Sequence, residues 1–244
     1  MATHFDNPGR RGKVGLILPS ANTTTEPTFY ALAPEGISFH TSRTFIAGKG
    51  LEDVIAMESQ KDKAVHELAS ARLDCIADCC TVSGILRGME ADREFCRGIT
   101  KDTGIPSIST LQAVIEALET LKVHKLVVTS PYSEEVEKQE KAFLEKIGFR
   151  VVNIQGYRMK EGASFSQVMP EEIYHLCMDA WDDQADGLFV SCMNFNSIPV
   201  IASLEMSLKV PVISSNTATL WKILKTIEVK EPIRGYGQLL MQYL

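Results

Sequence analysis

The chain has 244 residues, 45% hydrophobic and 23% charged, the profile of a folded globular protein, which argues against disorder, collagen and coiled coil. With 25 Lys+Arg against 31 Asp+Glu the formal charge is −6, so no excess of cations is available to neutralise the phosphates of a nucleic acid or a membrane surface. No apolar run reaches the roughly 18–20 residues of a membrane span, and the polar stretch 1–12 lacks the apolar core of a secretory signal.

Short runs rich in Val and Ile predict buried parallel strands over 14–18, 37–44, 75–80, 107–109, 126–130, 151–155, 188–192 and 212–215. Helical patterns lie between them. Leu111, Val114, Ile115, Leu118 and Leu121 share one face. Val136, Phe143, Leu144 and Ile147 belong to a stretch 134–147 that stops at Gly148. Pro170 followed by Glu171 and Glu172 reads as the first turn of another helix, with acids near its positive end. A last helix falls at 220–227. Alternating strands and helices predict parallel sheets with right-handed crossovers.

A repeat divides the chain. Val14 opens a strand that ends in Pro19-Ser20, and Leu126 opens one that ends in Ser130-Pro131. Cys80 stands as far from Cys192 as Val14 does from Leu126. Pro106-Ser107-Ile108-Ser109 answers Pro211-Val212-Ile213-Ser214 with slightly different spacing. The predicted fold is therefore α/β: two pseudo-symmetric four-stranded parallel-sheet halves with the active site in the cleft between them. One half spans 12–122 and carries Cys80, the other spans 123–227 and carries Cys192, and 228–244 forms a tail. The last helix of each half is free to pack on the other.

Six cysteines, Cys75, Cys79, Cys80, Cys96, Cys177 and Cys192, sit inside apolar patterns rather than in loops. Without an export signal they read as reduced thiols in the cytoplasm, not a disulfide scaffold. Cys79 points away from Cys80 in a regular strand and, with Cys75, Cys96 and Cys177, reads as packing. Cys80 and Cys192 each close an apolar run, where open α/β sheets bind ligands. They are either core cysteines at strand ends or a pair facing one cleft from opposite sides, one moving a proton or attacking and the other donating. A helix N-terminus after the thiol is expected to lower its pKa.

Lys and Arg are absent from the turns 19–25, 80–85 and 191–197, which are rich in hydroxyl, amide and glycine groups. Such turns hold an anion with neutral donors. Tyr132 follows its strand where Ser20-Ala21-Asn22 follows the first, and Asn22 serves either a ligand or a helix cap. His4, His40, His66, His124 and His175 are scattered without metal spacing, and His40 reads as packed within a strand. Gly48-Lys49-Gly50 is too short for a phosphate loop and reads as a turn near the cleft, with Arg43 or Lys49 placed to steer an anion.

Pro19-Ser20-Ala21-Asn22-Thr23 with Glu26-Pro27, then Cys80-Thr81-x-Ser83-Gly84, then Ser191-Cys192-x-Asn194, resembles the aspartate/glutamate/hydantoin racemase superfamily. Within it the chain is similar to the branch of maleate cis–trans isomerases and arylmalonate decarboxylases, over roughly 12–225. The resemblance implies no cofactor, no metal, a small carboxylate substrate and a homo-oligomer. It makes Cys80 the nucleophile and Cys192 the proton donor or acceptor. Asn22 and Tyr132 would orient a carboxylate, Pro19, Thr81 and the Met193 backbone would wall and line its pocket, and Asn194 joins the substrate-binding residues. Decarboxylases of the branch usually have glycine at the position of Cys80, so both thiols together favour an isomerase. A racemase or decarboxylase of a 2-substituted acid, with the cysteines only shuttling protons, is the alternative. A non-catalytic ligand-binding protein on the same scaffold is another. Maleate isomerases commonly carry Asp-Asn upstream of the helix led here by Pro170, whereas this chain reads Glu161-Gly162, which puts maleate itself in question.

Overall fold

The computed structural model describes residues 8–47, 50–159 and 161–244. His4, Gly48, Lys49 and Lys160 lie outside them. Eight strands are described: β1 (Gly12–Pro19), β2 (Ile37–Thr44), β3 (Cys75–Asp78), β4 (Ser107–Ser109), β5 (Lys125–Ser130), β6 (Arg150–Gly156), β7 (Gly187–Val190) and β8 (Val212–Ser214). They form two parallel sheets, ordered β2-β1-β3-β4 and β6-β5-β7-β8. The identical order in both halves is the predicted repeat. In each sheet the chain leaves the central pair on opposite sides, β1 with β3 and β5 with β7, which is where ligands bind in such sheets.

Eleven helices are described: α1 (Thr25–Leu32), α2 (Leu51–Glu58), α3 (Lys61–Ala69), α4 (Thr81–Arg87), α5 (Met89–Thr103), α6 (Thr110–Thr120), α7 (Glu134–Lys146), α8 (Pro170–Ala180), α9 (Ile201–Leu208), α10 (Ser215–Thr226) and α11 (Gln238–Gln242). None is long and apolar enough to cross a membrane. The central strands are buried on both faces, with Leu16, Leu18, Ile76, Val128 and Leu188 fully enclosed, as an apolar run in a parallel sheet requires. Gly84 of α4 lets Leu111 of α6 approach: a Cβ there would lie 2.5 Å from the Leu111 Cβ.

The halves share one core. Leu16 and Ala77 of the first sheet join Val128, Phe189 and Ile213 of the second in a single cluster with Trp221. Helices α6 and α10 pack together across the pseudo-dyad, where Thr219 Oγ1 donates to Thr110 Oγ1 at 2.9 Å, and α10 also reaches β3 and β4. The 228–244 stretch is no loose tail. Leu239 and Leu240 are buried in the shared core, and Trp221 Nε1 donates to the Tyr243 carbonyl at 2.9 Å.

Candidate active site

A cavity of about 300 Å³ opens where the carboxyl ends of the central strands of both sheets meet. Pro19, Asn22, Cys80, Thr81, Tyr132, Cys192, Met193 and Asn194 all line it. None of the described lining residues is Lys or Arg, and Glu135 is the one charged side chain among them. Ile46, Val54, Val82, Val136, Met159 and Phe165 give the cavity an apolar side. Val54, Val82, Val136 and Met159 lie in helices or beyond a strand end. Nothing local in the sequence marks them.

Cys80 follows β3 as the N-cap of α4, half-buried, with an extended backbone. Cys192 follows β7 and is 6% exposed. No helix starts at Cys192; the next helical turn begins only at Ile198. Its φ is +102°, a conformation that L-residues adopt only under constraint. The constraint is visible. Cys192 N–H donates to Ser215 Oγ at 3.0 Å, and Asn194 N–H donates to Cys192 Sγ at 3.3 Å. On the preceding residue, Ser191 Oγ donates to Glu140 Oε1 at 2.6 Å. Ser215 Oγ also lies 2.9 Å from Thr81 Oγ1, so a hydroxyl pair ties the Cys192 backbone to the first turn after Cys80.

The thiols do not have the lowered pKa expected of a helix N-terminus. Burial dominates both. It pushes Cys80 above the usual thiol range, with Lys61 and Ser83 pulling the other way, and Cys192 up to about 12, opposed by Tyr132 and the Asn194 N–H. Tyr132 is itself held well above its ordinary value, first by burial and then by the Cys192 charge.

Two amides of the cavity are taken up largely by the protein itself. Asn194 Oδ1 accepts from Thr23 N–H at 2.9 Å and Thr24 Oγ1 at 3.2 Å, while Nδ2 donates to Ala21 O at 3.2 Å and Gly162 O at 2.8 Å. All four hydrogen-bonding places of this side chain are filled. Asn194 is thus a clasp that fastens three cavity loops, and what it offers the cavity is backbone. Asn22 Oδ1 accepts from Thr24 N–H and Thr25 N–H, both at 3.0 Å, and Nδ2 donates to Thr25 Oγ1 at 2.9 Å. It caps the entry to α1 and keeps one amide hydrogen for a ligand. Replacing Asn194 with alanine leaves buried donors and acceptors unpaired, so a stability loss of about 2–4 kcal/mol is expected in urea unfolding. A loss below about 0.5 kcal/mol would mean the clasp holds nothing.

Arg43 does not face the cavity as an anion guide. It pairs with Glu26 and donates to Ser20 O at 3.1 Å and Asn22 O at 2.7 Å, bracing the loop from behind. His40 is exposed rather than packed, with Ser38 Oγ 2.9 Å from its Nε2, because β2 is an edge strand. Cys75, Cys79, Cys96 and Cys177 are buried.

A sequence model described as arylmalonate decarboxylase matches residues 14–240. The chain belongs to the arylmalonate decarboxylase family. Its relatives include a maleate isomerase of Geobacillus stearothermophilus, 27% identical with 98% of each chain covered. An arylmalonate decarboxylase of Bordetella bronchiseptica is 25% identical, with 93% of this chain and 95% of the relative covered. A mutant of the Nocardia farcinica maleate cis-trans isomerase with a covalently bound succinylcysteine intermediate superposes with a TM-score of 0.89 at 23% identity, covering 96% of this chain and 99% of the other. Membership of this family thus embraces both chemistries that the two-cysteine motifs suggested.

Proposed function

We propose that the protein is a cofactor-independent isomerase acting on a small mono- or dicarboxylic acid through Cys80 and Cys192. The observation that carries this reading is that two thiols from corresponding positions of a repeated fold share one cavity in which no described lining residue is a cation. The Cys80 thiolate adds to one carbon of the cis double bond. A carbon–sulfur bond forms, the π electrons move onto the neighbouring carboxylate as an enolate, and Cys192 delivers a proton to the other carbon. The former double bond is now single and turns. Cys192 then takes the proton back, the carbon–sulfur bond breaks, and the trans acid leaves with Cys80 again the thiolate and Cys192 again the thiol. Splitting the conversion this way replaces one high barrier by two lower ones. Thr81 Oγ1 and the Met193 N–H, which has no protein acceptor among the described residues, support the enolate oxygen. A carboxylate held by neutral donors leaves the thiolate its basicity, which an arginine would reduce.

The apolar side of the cavity favours a second reading, a 2-substituted acid whose apolar group rests on Val136, Met159 and Phe165. Gly162 stands where a side-chain donor for a second carboxylate would help, and its carbonyl is already taken by Asn194. In that reading the cysteines only exchange protons at the α-carbon, giving racemisation or decarboxylation. A panel of maleate, 2-alkylmaleates, arylmalonates and 2-aryl acids, assayed in deuterium oxide with intact-mass detection, separates the two. Trans product with a transient substrate adduct on Cys80 supports the isomerase. Deuterium at the α-carbon without an adduct supports the alternative, and turnover of none of the panel overturns both. A homo-oligomer in the cytoplasm belongs to the same proposal.

A further inference from the structure

Two buried ionisable side chains stand behind the cavity without lining it, and they differ in sign. Behind Cys80 is Lys61, the first residue of α3, 1% exposed. Its Nζ lies 2.8 Å from Asp78 Oδ2 and 2.6 Å from Glu58 Oε1, with the Phe95 ring centroid 5.6 Å away. Asp78 ends β3 two residues before Cys80. Arg87 joins Glu58, Asp78 and Asp92 into the same cluster. Behind Cys192 is Glu140, which takes the Ser191 hydroxyl and has no salt-bridge cation among the described residues.

A second asymmetry sits at the thiols themselves. Ser83, one turn into α4 from Cys80, is fully buried, and its hydroxyl has no conventional hydrogen-bond partner among the described residues. A buried donor without an acceptor is costly unless a charge forms in front of it. Ser83 stands in the first turn of the helix that Cys80 caps, where its hydroxyl favours a charge on the Cys80 sulfur.

We infer that Lys61 is a positioning residue that makes Cys80, rather than Cys192, the thiolate-forming member of the pair, with Ser83 completing the thiolate's surroundings. The buried ammonium acts through a low-dielectric interior where its field is weakly screened. Among the charges bearing on Cys80 it outweighs Asp78, and the Ser83 hydroxyl and N–H act in the same direction. No cation is among the groups bearing on Cys192: a charge on Cys80 opposes a second thiolate, and so does Glu140 where it is ionised. Besides Lys61, the titratable groups around Cys80 are Asp78 at the end of β3 and Cys79 just after it, Glu58 on α2, Arg87 on α4, Asp92 on α5, and Cys192 and Tyr132 across the cavity. The fold is pseudo-symmetric, but the charge placed behind it is not, and that difference divides the labour.

The inference rests on the two-cysteine reading, but its test needs no substrate, so it can fail or succeed independently of the substrate panel. The measurement is the pH dependence of iodoacetamide labelling at Cys80, located by tandem mass spectrometry so that Cys79 is resolved. Lys61→Met is expected to raise the labelling midpoint by about one pH unit, slowing labelling near neutral pH about tenfold. Asp78→Asn, which leaves Lys61 its Glu58 partner, is expected to lower it. A purely structural role for Lys61 cannot produce shifts of opposite sign in these two variants. An unchanged Cys80 profile in Lys61→Met, or an upward shift in Asp78→Asn, overturns the inference. If Lys61→Met does not fold, Lys61→Gln is read in the same assay, with the same upward shift expected and an unchanged Cys80 profile again overturning the inference.

Discussion

Replacing either Cys80 or Cys192 by alanine is expected to reduce turnover of the best substrate by about a thousandfold or more, with the fold intact. Nucleophilic addition without Cys80 has no starting point, and an adduct without Cys192 has no proton to receive or return. The losses should not add: the double variant should be about as inactive as either single one, because the two groups act as one unit. The single variants nevertheless differ in what they leave behind. With Cys192 replaced, the isomerase reading expects a substrate adduct that persists on Cys80 in intact-mass spectra. With Cys80 replaced, no adduct is expected. Melting temperatures close to the parent's would confirm that chemistry, not folding, was removed. More than a tenth of parental turnover in either variant would sink the two-thiol mechanism.

Glu140 carries the second large effect, on stability. Burial, relieved in part by the Ser191 hydroxyl, pushes its carboxyl up from 4.5 to about 7. Between those values the folded protein keeps a proton that the unfolded chain has released. Stability at this site is therefore fully present below about pH 4.5 and declines as pH rises toward about 7. The total is about 3 kcal/mol, taking 1.36 kcal/mol for each pH unit. Glu140→Gln keeps an oxygen for Ser191 and cannot ionise. Relative to the parent it should gain stability between pH 5 and pH 8, by up to about 3 kcal/mol, or roughly 6–12 °C in melting temperature for a chain of this length. Glu137 and Glu205, also raised by burial, leave a weaker slope of the same sign in the variant. An equal parent–variant difference at both pH values would show that Glu140 does not titrate in this range.

The residues that were legible in the sequence and those that were not differ in a physical way. The strands were readable because a strand buried on both faces must be an apolar run, and the observed bounds fall within a few residues of the expected ones. Cys80 and Cys192 were readable because duplication put them at equivalent strand ends. The division of work around them was not. The positive φ of Cys192 and the clasp of Asn194 arise from loops brought together from 21–24, 162 and 192–194. An amide in a motif looks the same whether it faces a ligand or four protein partners. The thiol pKa was misjudged because a helix terminus is visible in sequence and depth of burial is not. Lys61 and Glu140 did leave a trace. Glu140 sits between Val136 and Leu144 at four-residue spacing, and Lys61 occupies the place before Ala64 and Leu68, so each is an ion where the helix turns inward. A charge at an apolar beat of a helix was the available signal.

The pairing of α6 with α10, and the core that both sheets share, carry a last consequence. A cleft between two lobes usually works as a jaw, opening and shutting about a hinge. Here the lobes are riveted together through the α6–α10 contact and the shared core, and the Thr81–Ser215 contact adds a cross-brace beside the thiols. The backbone of Cys192 and the first turn after Cys80 are accordingly tied to each other through Ser215. On the proposed isomerase reading, the turn about the former double bond then falls to the substrate rather than to the lobes.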